Sequence, residues 1–219
     1  MASSTDAATA FASTQLSRHA ADVLAFIPAR RPLVIAFDGP SGGGKSAIAE
    51  SVAAAAPEPC ARVSLDDFFT TREAEADLHG LPHPEKLGRM FEWDRARDES
   101  LIPLRVGHAA AWRPFDYLAG RDASGLWRLQ DKARQTGPAR LVVLDGWGCA
   151  SGRLDDLVDV RVLVRAPEAI RRRRQVQRGD NAYGDVEAWH HANGAIERWL
   201  FDVACPPSAF DLVIDNAES

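Results

Sequence analysis

The sequence predicts an α/β fold in which a parallel sheet of five strands carries helices on both faces. Three observations predict it. Short apolar runs recur along the chain: Leu33-Val34-Ile35-Ala36-Phe37, Leu141-Val142-Val143-Leu144 and Val160-Arg161-Val162-Leu163-Val164, with Arg62-Val63-Ser64-Leu65 and Leu212-Val213-Ile214 as two more. Near-continuous apolar runs are what strands covered on both faces require. Segments of helical spacing lie between them, and strands alternating with helices make a parallel sheet. Finally, Gly39-Pro40-Ser41-Gly42-Gly43-Gly44-Lys45-Ser46 joins the first strand to a helix that starts near Ala47. That stretch fits G-x-x-x-x-G-K-[ST] at each fixed position, in the strand–loop–helix setting that gives the pattern its meaning.

Each element follows from its residues. Residues 1–12 are small and polar and are expected to be disordered. Residues 13–27 place Leu16, Ala20, Val23, Leu24 and Ile27 at helical spacing, so a helix should pack on the first strand. Pro32 starts that strand, and Pro57 and Pro59 close the helix after the glycine-rich loop. Asp66-Asp67-Phe68-Phe69 stands at the C-terminal end of the second strand. Residues 70–120 are rich in Pro, His, Trp and Arg, with a helix expected from Glu92 to Arg105 that turns Trp93, Ala96 and Leu101 inward. Gly120 to Gly137 reads as a polar, turn-rich connector. An arginine-rich helix over 168–178 and a second over roughly 185–202 precede the last strand. With no internal repeat, residues 13–219 are expected to form a single domain.

Composition limits the function classes. The chain has 219 residues, 46% hydrophobic and 26% charged, which suits one domain with a large core. A net charge of −5 gives no reason to expect a nucleic-acid or membrane partner. No apolar run approaches the ~20 residues that span a bilayer. Met1-Ala2-Ser3-Ser4-Thr5-Asp6 lacks the basic start and apolar stretch of a signal peptide. Cys60, Cys149 and Cys205 are odd in number and lack metal-like spacing, so a reducing, cytoplasmic setting without disulfides is expected. Self-association as a homo-oligomer stays open.

The glycine-rich loop carries the chemistry. Its glycines let successive N–H groups curl around an oxyanion, and the following helix adds its positive dipole end. Gly39, Ser41, Gly42, Gly43, Gly44, Lys45, Ser46 and Ala47 are therefore expected to hold the phosphates of a nucleotide, with Lys45 on the β and γ groups and the Ser46 hydroxyl on Mg²⁺. In such sheets ligands bind beyond the C-terminal strand ends. That places Asp38, the Asp66–Asp67 pair and Asp145 around the loop. Asp145 can hold the metal or cap the turn at Gly146. Asp66 or Asp67 can be a general base for a hydroxyl, or an N-cap before Phe68. Arg171, Arg174 and Arg178 share one helical face, as a solvated surface or as stabilisers of a transferring phosphoryl group. Gly179 and Gly184 would then hinge a lid over 168–184. A GTP-hydrolysing switch would need a guanine-reading N-K-x-D motif, and none occurs.

An ordered set of segments now bears comparison with a family. Ala36-Phe37-Asp38-Gly39-Pro40-Ser41-Gly42, Val63-Ser64-Leu65-Asp66-Asp67-Phe68-Phe69, Phe91-Glu92-Trp93-Asp94, Trp112-Arg113-Pro114-Phe115-Asp116-Tyr117, Val143-Leu144-Asp145-Gly146, the arginine helix and Phe210-Asp211-Leu212-Val213-Ile214-Asp215 follow one another in the family's order. The chain resembles the uridine kinase and phosphoribulokinase-like family of P-loop nucleoside kinases, especially its bacterial uridine kinase-like members. The resemblance implies a P-loop NTPase three-layer sandwich with an Arg-rich lid and an acceptor-binding region inserted at 70–120. It implies an ATP- and Mg²⁺-dependent kinase acting on a hydroxyl, the 5′-hydroxyl of a nucleoside or nucleoside-like compound. Asp66 falls on the catalytic aspartate and Asp145 on an acidic Mg²⁺ ligand that is usually glutamate. Glu92 falls on an aspartate that binds ribose hydroxyls, and Phe115 on a tyrosine near the base. Phe69 and Arg178 complete the set expected to meet the acceptor, and Arg171, Arg174 and Arg178 match the lid arginines. No counterpart stands where the family's pyrimidine-reading histidine would fall, near Gly120. A kinase of a sugar or a pantothenate-like alcohol is the alternative, followed by a nucleotide-hydrolysing switch.

Overall fold

The computed structural model describes residues 32–178 and 186–217. The expected N-terminal tail, the helix over 13–27 and the lid segment over 179–184 lie outside these residues. All five expected strands form: β1 (Leu33–Asp38), β2 (Cys60–Ser64), β5 (Leu141–Asp145), β6 (Val160–Arg165) and β7 (Leu212–Asp215). They make one parallel sheet in the order β2-β5-β1-β6-β7. Putting β1 at the centre fixes what stands beside its C-terminal end. Phe37 aligns with Asp145 of β5 and Asp38 with Leu163 of β6, while Ser64 of β2 aligns with Asp145 from the other side.

The alternation of β1 explains the layers. Leu33, Ile35 and Phe37 face one core with Ile48, Ala49 and Val52 of helix α1 (Lys45–Ala55). Val34 and Ala36 face the other, with Leu65, Phe68, Leu101, Trp112, Leu200 and Phe201. Both faces are dry, as the apolar runs demand. Two short helices, α2 (Glu75–Leu78) and α3 (His83–Met90), follow β2. Helix α4 starts at Trp93, widens into a π-helical turn over Ala96–Leu101 and ends with Ile102–Arg105. Ala96 and Leu101 are buried as expected, and Trp93 is half-buried. Helix α5 (Glu168–Arg178) has the expected bounds, and α6 (Val186–Trp199) passes into a π-helical turn over Leu200–Ala204.

Two expectations are corrected. The second strand stops at Ser64, and Leu65 opens a 3₁₀ turn over Leu65–Phe68. The connector over 120–137 is more than turns: its Arg134–Thr136 forms β4, antiparallel to β3 (Ala110–Trp112). A three-residue polar strand is too short to show alternation, so turn residues dominated its reading.

Candidate active site

The loop between β1 and α1 is built to bring backbone close to backbone. Gly39 has φ 143°, and a Cβ there would lie 2.0 Å from the Val164 carbonyl oxygen. Gly44 has φ 95°, and its Cβ would lie 2.2 Å from the Asn216 amide nitrogen. Only glycine fits both demands. Lys45 folds back over the loop, its Nζ donating to the Gly39 carbonyl at 2.8 Å and to the Pro40 carbonyl at 3.2 Å. One residue on, the Ser46 hydroxyl donates to Asp145 Oδ2 at 2.7 Å. A hydroxyl and a carboxylate side by side at the loop's helix are hard oxygen donors of the type Mg²⁺ takes, and Mg²⁺ draws few protein ligands because phosphates and water complete its shell. The pair fits that ion.

Asp38 lies beneath this pair. It is fully buried and accepts from the N–H groups of Gly39 (2.7 Å), Gly148 (2.8 Å) and Ala150 (2.8 Å). Burial pushes its carboxyl up to about 6, against the pull of those N–H groups and of Lys45. Its bonds tie the start of the phosphate loop to the turn after β5. The buried Cys149 thiol stands close by, pushed up by burial and then by Asp38, Asp145 and Asp66, with Lys45 opposing.

The arginine helix meets the loop's carbonyls. Arg171 Nη1 donates to the Ser41 carbonyl at 3.0 Å and to Glu197 Oε1 at 2.9 Å, while the Ser41 N–H donates to Glu197 Oε2 at 2.8 Å. Arg174 Nη1 donates to the carbonyls of Gly42 (3.3 Å) and Gly43 (3.2 Å), and its Nη2 to that of Asn216 (3.1 Å). Asn216 Nδ2 donates to the Gly43 carbonyl at 2.9 Å. Arg171 and Arg174 thus brace the loop itself. Arg178 ends α5, and its side chain lies outside the described residues. Sequence reasoning missed Glu197 and Asn216, since neither sits in a motif. Glu197 is 5% exposed. Removing one partner of a buried ion pair strands the other, so Glu197→Ala is expected to cost about 3 kcal/mol, or roughly 6–12 °C in Tm. Thermal unfolding checks this; a Tm within about 2 °C of wild type would mean that the cluster carries no stability.

On the acceptor side the two adjacent aspartates separate. Asp67 is buried, accepts from Trp112 Nε1 at 2.8 Å and pairs with Arg134 at 3.2 Å. Burial pushes its carboxyl up, and the Trp112 bond and Arg134 oppose that. It anchors β3 and β4. Asp66 is half-buried, and Tyr117 donates its hydroxyl to the Asp66 main-chain carbonyl at 3.1 Å. Beside it a cavity of about 300 Å³ is walled by Phe69, Met90, Phe115, Tyr117 and Trp127. Phe115 contacts Phe69, Tyr117 and Trp127 with ring centroids 5.7, 4.7 and 5.2 Å away. The expected acceptor residues Phe69 and Phe115 therefore line one pocket. Glu92 lies outside that lining. It is buried, its Oε1 accepting from the Thr71 N–H (2.7 Å) and hydroxyl (2.8 Å) and its Oε2 from Arg95 (3.2 Å). Trp127 comes from the supposed connector, and Lys86 and Asn193 from α3 and α6; an aromatic inside a polar stretch was the signal available for Trp127.

No family model matches the chain. The uridine kinase of Streptococcus gordonii is 25% identical over 154 residues, 68% of either chain. Among solved structures, one described as a possible uridine kinase from Bacillus stearothermophilus superposes with a TM-score of 0.64 at 12% identity, over 92% of this chain and 98% of that one. The D-glycerate 3-kinase of Cryptococcus neoformans superposes with a TM-score of 0.56 at 14% identity, over 93% of each chain. The fold is that of the P-loop kinases. The resemblance to the uridine kinases also holds over the matched two thirds of the sequence. The phosphate loop follows β1, Asp145 ends β5 and Asp66 stands two residues beyond β2, all at the C-terminal edge of the sheet, where open parallel sheets bind their ligands. Among the described residues no helix is long and apolar enough to cross a membrane, and no group of three His, Cys, Asp or Glu side chains is placed to hold a metal ion.

Proposed function

We propose that this protein transfers the γ-phosphoryl group of ATP to a hydroxyl of a nucleoside-like small molecule. The observation that carries the reading is the 2.7 Å bond from Ser46, which follows the phosphate loop, to Asp145 at the end of β5. The N–H groups of the loop and the start of α1 cradle the phosphates. Lys45 gives up the carbonyls of Gly39 and Pro40 for phosphate oxygens, which bind an ammonium more strongly. Ser46 and Asp145 would hold Mg²⁺, which would supply charge neutralisation at the phosphates. Asp66 accepts the proton of the acceptor hydroxyl as its oxygen attacks the γ phosphorus, and the bond to the bridging oxygen breaks to release ADP. Arg171 and Arg174 keep the loop in shape, and Arg178 supplies charge near the transferred group. The aromatic walls suit a flat ring, as a nucleoside base provides. The curated uridine kinase relatives support the class of acceptor.

The test supplies purified protein with ATP and Mg²⁺ and screens nucleosides, nucleoside antibiotics, sugars and pantothenate. ADP release that depends on one acceptor, with a phosphorylated product, is the expected outcome. ADP release unchanged by any acceptor would favour a hydrolysing switch instead.

A further inference from the structure

The acidic side chains that line the cavity are each paired with an arginine, and Lys86 stands apart from those pairs. Glu73 is held by Arg89, which donates to it through Nε at 2.9 Å and through Nη2. Glu75 is paired with Arg121, and the Arg121 guanidinium also lies 5.0 Å from the Trp127 ring centroid. Lys86 lines the same cavity from α3 and is half-buried. Its Nζ makes one bond, to the Ala192 carbonyl of α6 at 3.1 Å. Among the described residues no carboxylate pairs with it, and burial pulls its pKa down. An ammonium has three donors, and a partly buried charge with no counter-charge is costly. Both acidic side chains that line the pocket already have arginine partners, so the pocket itself offers Lys86 no partner.

We infer that the acceptor carries an anionic group, a carboxylate or a phosphate, which Lys86 binds while the aromatic walls hold its apolar part. This deepens the proposed kinase reading by naming the acceptor's charge, and it rests on the same cavity. A volume of about 300 Å³ is at the lower end of the range for small-molecule sites, enough for a single ring with one charged substituent. A bound anion would take the Lys86 donors that Ala192 leaves over, and its charge would raise the lysine's pKa back towards the ordinary value.

Matched probes that differ only in the anion test the inference: orotidine against uridine, D-glycerate against glycerol, and ribose 5-phosphate against ribose. Calorimetric binding to the whole protein is measured beside turnover with ATP and Mg²⁺. In at least one pair the acidic member should bind at least about tenfold more tightly, a gap that Lys86→Gln closes and Lys86→Arg largely keeps. In turnover the same change should appear in KM and not in kcat. Acidic members that bind no better than their neutral twins, or a gap that Lys86→Gln leaves intact, would overturn the inference. Preferential binding of an acidic member without any turnover would uphold the inference and sink the kinase reading, so the two fail separately. Folding of each variant is followed by its Tm, and Lys86→Met, which also removes the charge and should also close the gap, carries the comparison if Lys86→Gln unfolds.

Discussion

Asp66→Asn is expected to lower phosphotransfer by about 10²–10⁴-fold while leaving ATP affinity within about twofold. The substitution keeps the side chain's size and removes its basicity. A hydroxyl attacking phosphorus needs a positioned group to take its proton, and Asp66 sits two residues beyond Ser64, which aligns with Asp145. The neighbouring residue supplies the control. Asp67 is bonded to Trp112 and Arg134, so Asp67→Asn should act on the β3–β4 region and appear first as a lowered Tm. Nucleotide affinity, turnover and Tm measured for both variants separate the roles. Near-normal turnover in Asp66→Asn, or a greater catalytic loss at Asp67 with an unchanged Tm, would place the base elsewhere.

Lys45→Ala is expected to lower turnover by about 10²–10³-fold, the range seen when one preorganised donor to a developing charge is removed. Fold stability should change little, because the side chain meets two loop carbonyls and enters neither apolar core. The loop is also fastened at other atoms by Asp38, Arg171, Arg174 and Asn216, so it loses one fastening among several. Single-turnover rates at saturating ATP give the measurement, with thermal unfolding alongside. Wild-type turnover in Lys45→Ala would remove the phosphate-loop assignment altogether.

What could be read in advance follows how local the causes are. The central strands β1 and β5 announce themselves because residues such as Leu33 to Phe37 are buried on both faces. The phosphate loop announces itself because its glycines and Lys45 are adjacent in sequence. The partnership of Ser46 with Asp145 could also be anticipated, since each stands at the end of a legible element. Residue type alone does not separate Asp67 from Asp66; the resemblance favours Asp66, and the structure gives Asp67 a partner 45 residues away in Trp112. Glu92 is expected at the acceptor through the resemblance alone, and an acid before a helix carries no mark of its partners. Thr71 and Arg95, which occupy it, are common residues in unremarkable places. Lys86 stood in no motif, and its missing counter-charge is a property of the assembled cavity.

The fastening of the phosphate loop has a consequence for the order in which the protein matures. The loop lies early in the chain, yet the groups that occupy its carbonyls come from far downstream. Arg171 lies 130 positions beyond Ser41, and Asn216 lies 173 beyond Gly43. Contacts of such separation are slow to form, because the loop-closure entropy must be met before they contribute. While the ribosome is still extending the chain, β1 and α1 can exist without their braces. Nucleotide capture should therefore appear late, when α5, α6 and β7 dock. A half-made chain would leave ATP untouched, so the active centre is withheld until nearly the whole sheet is in place.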